Sequence, residues 1–172
     1  DHVRRVAEMF EAADHVVLVA EGYANTVAEM VAEQLRHRGI SAEAASDDPV
    51  RLAGTLVGLT ENMMVVGISA TDYGESVAKA LGYARMKGCP TLGVVGSLAS
   101  PVNRMSDQVM YAPTDAAGPL PSIVALVAAL AALVQVASKD SAGSVEKHLD
   151  EFQRTYDFLS QSGVGVEPPD DE

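Results

Sequence analysis

The sequence predicts a three-layer αβα sandwich built on a five-stranded parallel sheet, with extra helices at the C-terminal end. Three observations predict it. Apolar runs of strand length alternate with helix-patterned stretches along the 172 residues. The runs 16–20, 63–68 and 91–95 are nearly continuous in apolar character, as strands covered on both faces are. The intervening stretches suit the right-handed crossovers that join parallel strands.

Val3, Val6 and Phe10 mark a leading helix, and residues 16–20 the first strand. Residues 26–38 are helical, with Val27, Met30, Val31 and Leu35 on one face and Gly39 as terminator. Residues 40–45 make a short second strand. Asp47-Asp48-Pro49 caps a helix running to about Leu59, with proline in its first turn. The third strand, 63–68, leads through a loop into a helix with Val77, Leu81 and Ala84 on one face, closed by Gly88. Residues 91–95 are the fourth strand and 108–112 the fifth, with a short helix near 101–105 between them. The flavodoxin-like order 2-1-3-4-5 is the simplest arrangement. It sets strands one and three side by side at the switch point, where ligands bind beyond the strand carboxyl ends.

After Pro121 the pattern is all helix. Residues 123–137 are nearly apolar all round and are expected to be buried on most sides. Val145, Leu149, Phe152, Tyr156 and Leu159 form a stripe that needs a partner surface, on its own domain or a second subunit. Residues 1–162 are expected to form a single domain and 163–172 a disordered acidic tail.

Twenty-four acidic residues against twelve basic give a net charge of −12. Such a chain repels nucleic acid and anionic membranes. Its longest apolar run, 123–134, is well short of the ~20 residues a membrane helix needs. The lone cysteine, Cys89, is expected to be a buried thiol, and a reducing cytoplasm the compartment. The chain begins at Asp1, so an upstream part is expected. There is no CxxC, HExxH, Walker or GxGxxG motif. His2, His15, His37 and His148 are scattered, and neither metal nor cofactor is expected.

Chemistry is concentrated at the switch point, in loops 21–25 and 69–74. The second loop is small and hydroxyl-rich, and it opens a helix. Free backbone N–H groups, hydroxyls and the positive end of a helix dipole are the parts of an anion site. They also suit an ordinary strand-to-helix turn with Ser and Thr as caps. The candidate ligand-binding residues are Gly22, Ala24 and Asn25 from the first loop and Ser69, Thr71, Gly74 and Glu75 from the second. Ser100, after the fourth strand, completes the set. Glu21 and Asp72 lie in the same loops. A carboxylate beside a phosphate disfavours binding. Either both point away, or the ligand is less anionic, such as an amino sugar or an unphosphorylated one.

Over nearly its whole length the chain resembles a sugar isomerase (SIS) domain. That family's first strand ends in G-x-G-x-S, its third in S-x-S-G-x-T, and S-P-L and A-D follow its fourth. Here the first motif reads VLVAEGYANTVAEM, where Gly22 and Val27-Ala28 match and Ala20 and Ala24 replace a glycine and the serine. The second reads ISATDYGESV: Ser69 matches, Thr71 replaces a serine, Asp72 a glycine and Gly74 a threonine. The third reads GSLASPVNRMSDQVMYAP, where Ser100-Pro101 and Asp107 match.

Within the family the chain most resembles the effector half of RpiR-type transcriptional regulators. The resemblance implies a non-catalytic sensor of a sugar phosphate or related sugar, acting as a homodimer or higher oligomer. Contact with DNA would then come from an upstream helix-turn-helix domain and not from this chain. The alternative is a sugar-phosphate aldose–ketose isomerase, which needs a positioned base and a second proton-transfer group. Glu146 or Glu151 with His148 are the candidates. A third reading keeps only the fold and the dimer, with the site degenerate.

Overall fold

The computed structural model describes residues 2–116, 120–137 and 142–160, the side chains of 142–145 excepted. Its strands are β1 (His15–Ala20), β2 (Ala42–Ala44), β3 (Met63–Ser69), β4 (Thr91–Val95) and β5 (Gln108–Tyr111). They form one parallel sheet in the order β2-β1-β3-β4-β5. Helices α1 (His2–Ala12), α2 (Ala24–Arg36), α3 (Pro49–Val57), α4 (Glu75–Met86), α5 (Val102–Met105), α6 (Val124–Val136) and α7 (Ala142–Ser160) accompany it.

Side chains alternate across the strands, which divides the core in two. Val16, Leu18, Met64, Val66, Ile68, Leu92 and Val94 pack against α1, α2 and α6. Val17, Val19, Val65 and Val95 pack against α4 and α5, with Leu52 and Leu56 of α3 at the margin. Gly67 lies on this second face. A Cβ there would come within 2.7 Å of Leu81 and 2.8 Å of Val77, so the missing side chain lets α4 settle close to β3.

Local chemistry explains the boundaries. Asp48 caps α3, accepting from Val50 N–H at 3.1 Å and Arg51 N–H at 2.9 Å, with Pro49 at the first turn. The second helix runs two residues earlier than expected, because the turn after β1 closes through Ala24 N–H to the Glu21 carbonyl at 3.2 Å.

Helix α6 departs from expectation. α6 buries Leu126, Leu130, Leu133 and Val134 but leaves Val124 72% and Val136 52% exposed. Its apolar sequence exceeds what one sheet face covers. The stripe on α7 is open too, with Leu149, Phe152, Tyr156 and Leu159 all exposed. The Val145 side chain and the tail 163–172 lie outside what is described. Among the described residues no helix is long and apolar enough to cross a membrane.

Candidate functional site

β3 and β4 deliver two serines to the carboxyl edge of the sheet. Ser69 ends β3 and is fully buried, and Ser100 follows β4 at 1% exposure. Ser100 donates its hydroxyl to Ser69 Oγ at 3.3 Å, and Ser69 donates to the Thr71 carbonyl at 3.1 Å. The Thr71 hydroxyl oxygen accepts from Tyr73 N–H at 3.2 Å, which folds the loop back on itself.

Gly74 then starts α4 in the left-handed region, at φ 80°. A Cβ at Gly74 would lie 2.6 Å from Ser69 Oγ, so glycine serves both the backbone angle and the close approach. No side chain of the N-cap residue caps α4. The side chain that reaches its first turn comes from the neighbouring loop. Glu21, half-buried after β1, accepts a hydrogen bond from the Ser76 hydroxyl at 3.3 Å through Oε2. This contact bridges the two switch-point loops.

Beyond the serines lies an open cavity of about 600 Å³. Thr71, Asp72, Tyr73, Ser97, Tyr111 and Asp115 are among its lining residues, none of which is basic. The segment after β5 is pinned to its rim by Thr114, whose hydroxyl donates to the Ala70 carbonyl at 2.8 Å.

The structure brings together Ser69, Thr71, Gly74 and Ser100, with Glu75 exposed in the next helical turn. Of these, Thr71 lines the cavity, while Ser69 and Ser100 form a buried layer beneath the loop. Gly22, Ala24 and Asn25 lie on the β1 side. Ala24 is buried and Gly22 faces open space. Asn25 lines a smaller cavity of about 260 Å³ with Ser46, Asp47 and Arg51, and its Oδ1 is buried without a hydrogen-bond partner. Sequence reasoning passed over Ser76. The signal was present: read with Asp72 and Tyr73 as two extra loop residues, Gly74-Glu75-Ser76 supplies the G-x-T ending, with serine for threonine.

The acid–base candidates are elsewhere. His148 and Glu151 line a groove with Gly39, which lies between α2 and β2 at the edge where the strands begin. Within one protomer that edge is opposite the serines. Among the described residues no group of three His, Cys, Asp or Glu side chains is placed to hold a metal ion. Cys89 is buried, and burial pushes its thiol pKa up.

The family model of the SIS domain matches residues 9–139. The chain belongs to the SIS domain family. No curated protein matches the sequence. Among solved structures, this SIS domain is similar to the sugar isomerase domain of an RpiR transcription factor from Sphaerobacter thermophilus. The two are 26% identical, cover 89% of this chain and 86% of that one, and superpose with a TM-score of 0.81. The NanR protein of Vibrio vulnificus, solved in complex with ManNAc-6P, shares the fold at 19% identity and a TM-score of 0.80. That match covers 93% of this chain and 61% of NanR. A proposed phosphosugar isomerase involved in capsule formation from Bacteroides fragilis shares it at 19% identity and 0.72, covering 86% and 85%.

Proposed function

We propose that this SIS domain is the effector-sensing half of an RpiR-type transcriptional regulator. It binds a small sugar ligand, a sugar phosphate or a related sugar, between loops 22–25 and 69–74, and it carries out no chemistry on it. The observation that carries this reading is the match with the Sphaerobacter domain along nearly the full length of both chains. The hydroxyl cluster of Ser69, Thr71 and Ser100 at the switch point supports it, because polar groups converging there are what a sugar requires. Within a single copy, His148 and Glu151 line a groove at the edge of the sheet opposite this cluster. In this reading residues 1–162 act as one domain, two or more copies assemble, and an upstream helix-turn-helix domain contacts DNA.

The test is a melting-temperature screen of sugar phosphates, amino-sugar phosphates and free sugars. A ligand at 100 times its Kd stabilises the fold by about 2.7 kcal/mol. For a chain of this size that corresponds to a rise of roughly 5–11 °C. If no sugar of any class moves the melting point, the sensing reading fails and the degenerate-site reading replaces it.

A further inference from the structure

We propose that the crevice takes a sugar carrying an apolar substituent, which lies against Tyr73, Leu98, Tyr111 and Leu120; this rests on the sensing reading above.

The argument starts from a convergence. Apolar side chains exposed singly are ordinary on a protein surface, whereas a cluster of them around a cavity marks a binding face. Tyr73 is 78% exposed, Leu98 61%, Tyr111 49% and Leu120 71%. They come from the loop after β3, the loop after β4, the end of β5 and the segment beyond it, and all line the same cavity of about 600 Å³. That volume falls in the range of roughly 300–1,000 Å³ that holds a drug-sized ligand, so there is room beyond a bare sugar ring.

These side chains stand on backbone that is already fixed. Tyr73 N–H donates to the Thr71 hydroxyl oxygen at 3.2 Å. The Leu98 carbonyl accepts from Asn103 Nδ2 at 3.2 Å, and the next residue, Ala99, donates its N–H to Ser97 Oγ at 3.2 Å. Tyr111 is paired with Val95 of β4 in the sheet. Leu120 lies just before Ser122, whose N–H donates to the Thr114 carbonyl at 2.8 Å. Groups held in place beforehand lose little freedom when a ligand arrives. The ring contacts among the described residues are those of His37, Phe152 and Tyr156, so the faces of both cavity tyrosines are free. Tyr73 is one of the two residues that lengthen the loop relative to the S-x-S-G-x-T pattern, so this apolar wall belongs to this chain in particular.

The polar lining sets the orientation. Thr71, Ser97, Asp72 and Asp115 offer donors and acceptors to ring hydroxyls. The apolar rim offers those hydroxyls nothing and suits an acyl or alkyl chain projecting from the ring. The inference holds for a phosphorylated sugar and a free one alike.

The experiment is titration calorimetry of the whole chain with two homologous series, N-acetyl to N-butyryl hexosamines and methyl to propyl hexosides. Each is tested as the free sugar and as the 6-phosphate, with the parent hexoses for reference. In the wild type, affinity should rise about fourfold for each added methylene in at least one series, and the series that rises shows whether the chain is carried on nitrogen or on oxygen. Leu98→Ser with Leu120→Ser should flatten that rise. Both side chains are exposed, so the ligand-free melting temperature and the affinity for parent hexoses should stay near those of the wild type. Val50→Ser, at an exposed apolar residue on α3 away from the cavity, should keep the rise. No rise in either series with parent sugars still bound, or a rise that the double variant retains, overturns the proposal and leaves sugar sensing standing. Silence toward every sugar in all three proteins overturns both.

Discussion

Ser100 donates its hydroxyl to Ser69 across 3.3 Å, joining the ends of β3 and β4 beneath the loop that opens α4. Both serines are buried, so the bond is shielded from water and orders the loop above it. Ser69→Ala removes the acceptor for Ser100 and the donor to the Thr71 carbonyl. We expect a loss of about 1–2 kcal/mol in stability. The larger effect should be on ligand-induced stabilisation, since Thr71 then loses its anchor. Denaturant titration with and without ligand separates the two. An unchanged ligand response in Ser69→Ala would remove this pair from the site.

Asp107 and Thr91 lock the starts of β4 and β5 together. Asp107 Oδ2 accepts from Thr91 N–H at 2.9 Å and from the Thr91 hydroxyl at 2.8 Å, while Asp107 N–H donates to Thr91 Oγ1 at 3.0 Å. Thr91 is fully buried. Asp107→Ala strands a buried N–H and a buried hydroxyl, and each such loss costs about 1–3 kcal/mol where water cannot replace the partner. Asp107 is partly exposed, so we expect about 2 kcal/mol in urea unfolding, with ligand preference unaltered. A loss under about 0.5 kcal/mol would show that water takes over the contacts.

Burial gives Cys89 a raised thiol pKa, and its Sγ donates to the Thr60 carbonyl at 3.2 Å. The sign follows from the acid being harder to ionise in the fold. The thiol's contribution is fully present below the unfolded value, about 8.5. It is lost as pH rises through the higher folded value, because only the unfolded chain releases the proton. Unfolding titrations at about pH 7.5 and about pH 9.5 should show a decline that is smaller in Cys89→Ala. Equal declines in the two proteins would assign the pH dependence to other groups.

The sheet was legible because each strand is an apolar run between recognisable turns. Asp48-Pro49 announced α3, and the crossovers left one simple order. The strength of burial on β1, β3 and β4 overrides weak local preference. Three features resisted reading. The exposure of α6 depends on how much surface the sheet offers, which sequence pattern does not state. The Glu21–Ser76 bridge joins residues 55 positions apart, and nothing local in either segment signals it. The position of the cavity also depends on the segment after β5, where Thr114 clamps to Ala70. Ser69, Thr71, Gly74 and Ser100 could be picked from composition at the switch point. Their division into a buried layer and an exposed wall could not.

α7 carries the remaining prediction. None of its described side chains is buried. The edge contact of Phe152 with His37, at 4.8 Å between ring centres, ties it to the end of α2. Leu149 is 49% exposed, Phe152 45% and Tyr156 56%, with Phe152 and Tyr156 stacked along the same face. Most helical stability in proteins comes from packing an amphipathic face and not from the helix alone. Fully burying each such side chain is worth about 1.5–3 kcal/mol. We propose that a second copy of the chain covers this stripe. Light scattering at about micromolar concentration, where specific dimers persist, should give a dimer or larger assembly. Phe152→Asp with Tyr156→Asp should place charges in the contact, shift the protein to monomer and lower its helix content. The crevice residues are untouched by these changes, so any loss of ligand response in the double variant would mean that the partner contributes to the site. A wild type that is monomeric at that concentration would rule out the second copy and leave α7 to a different partner.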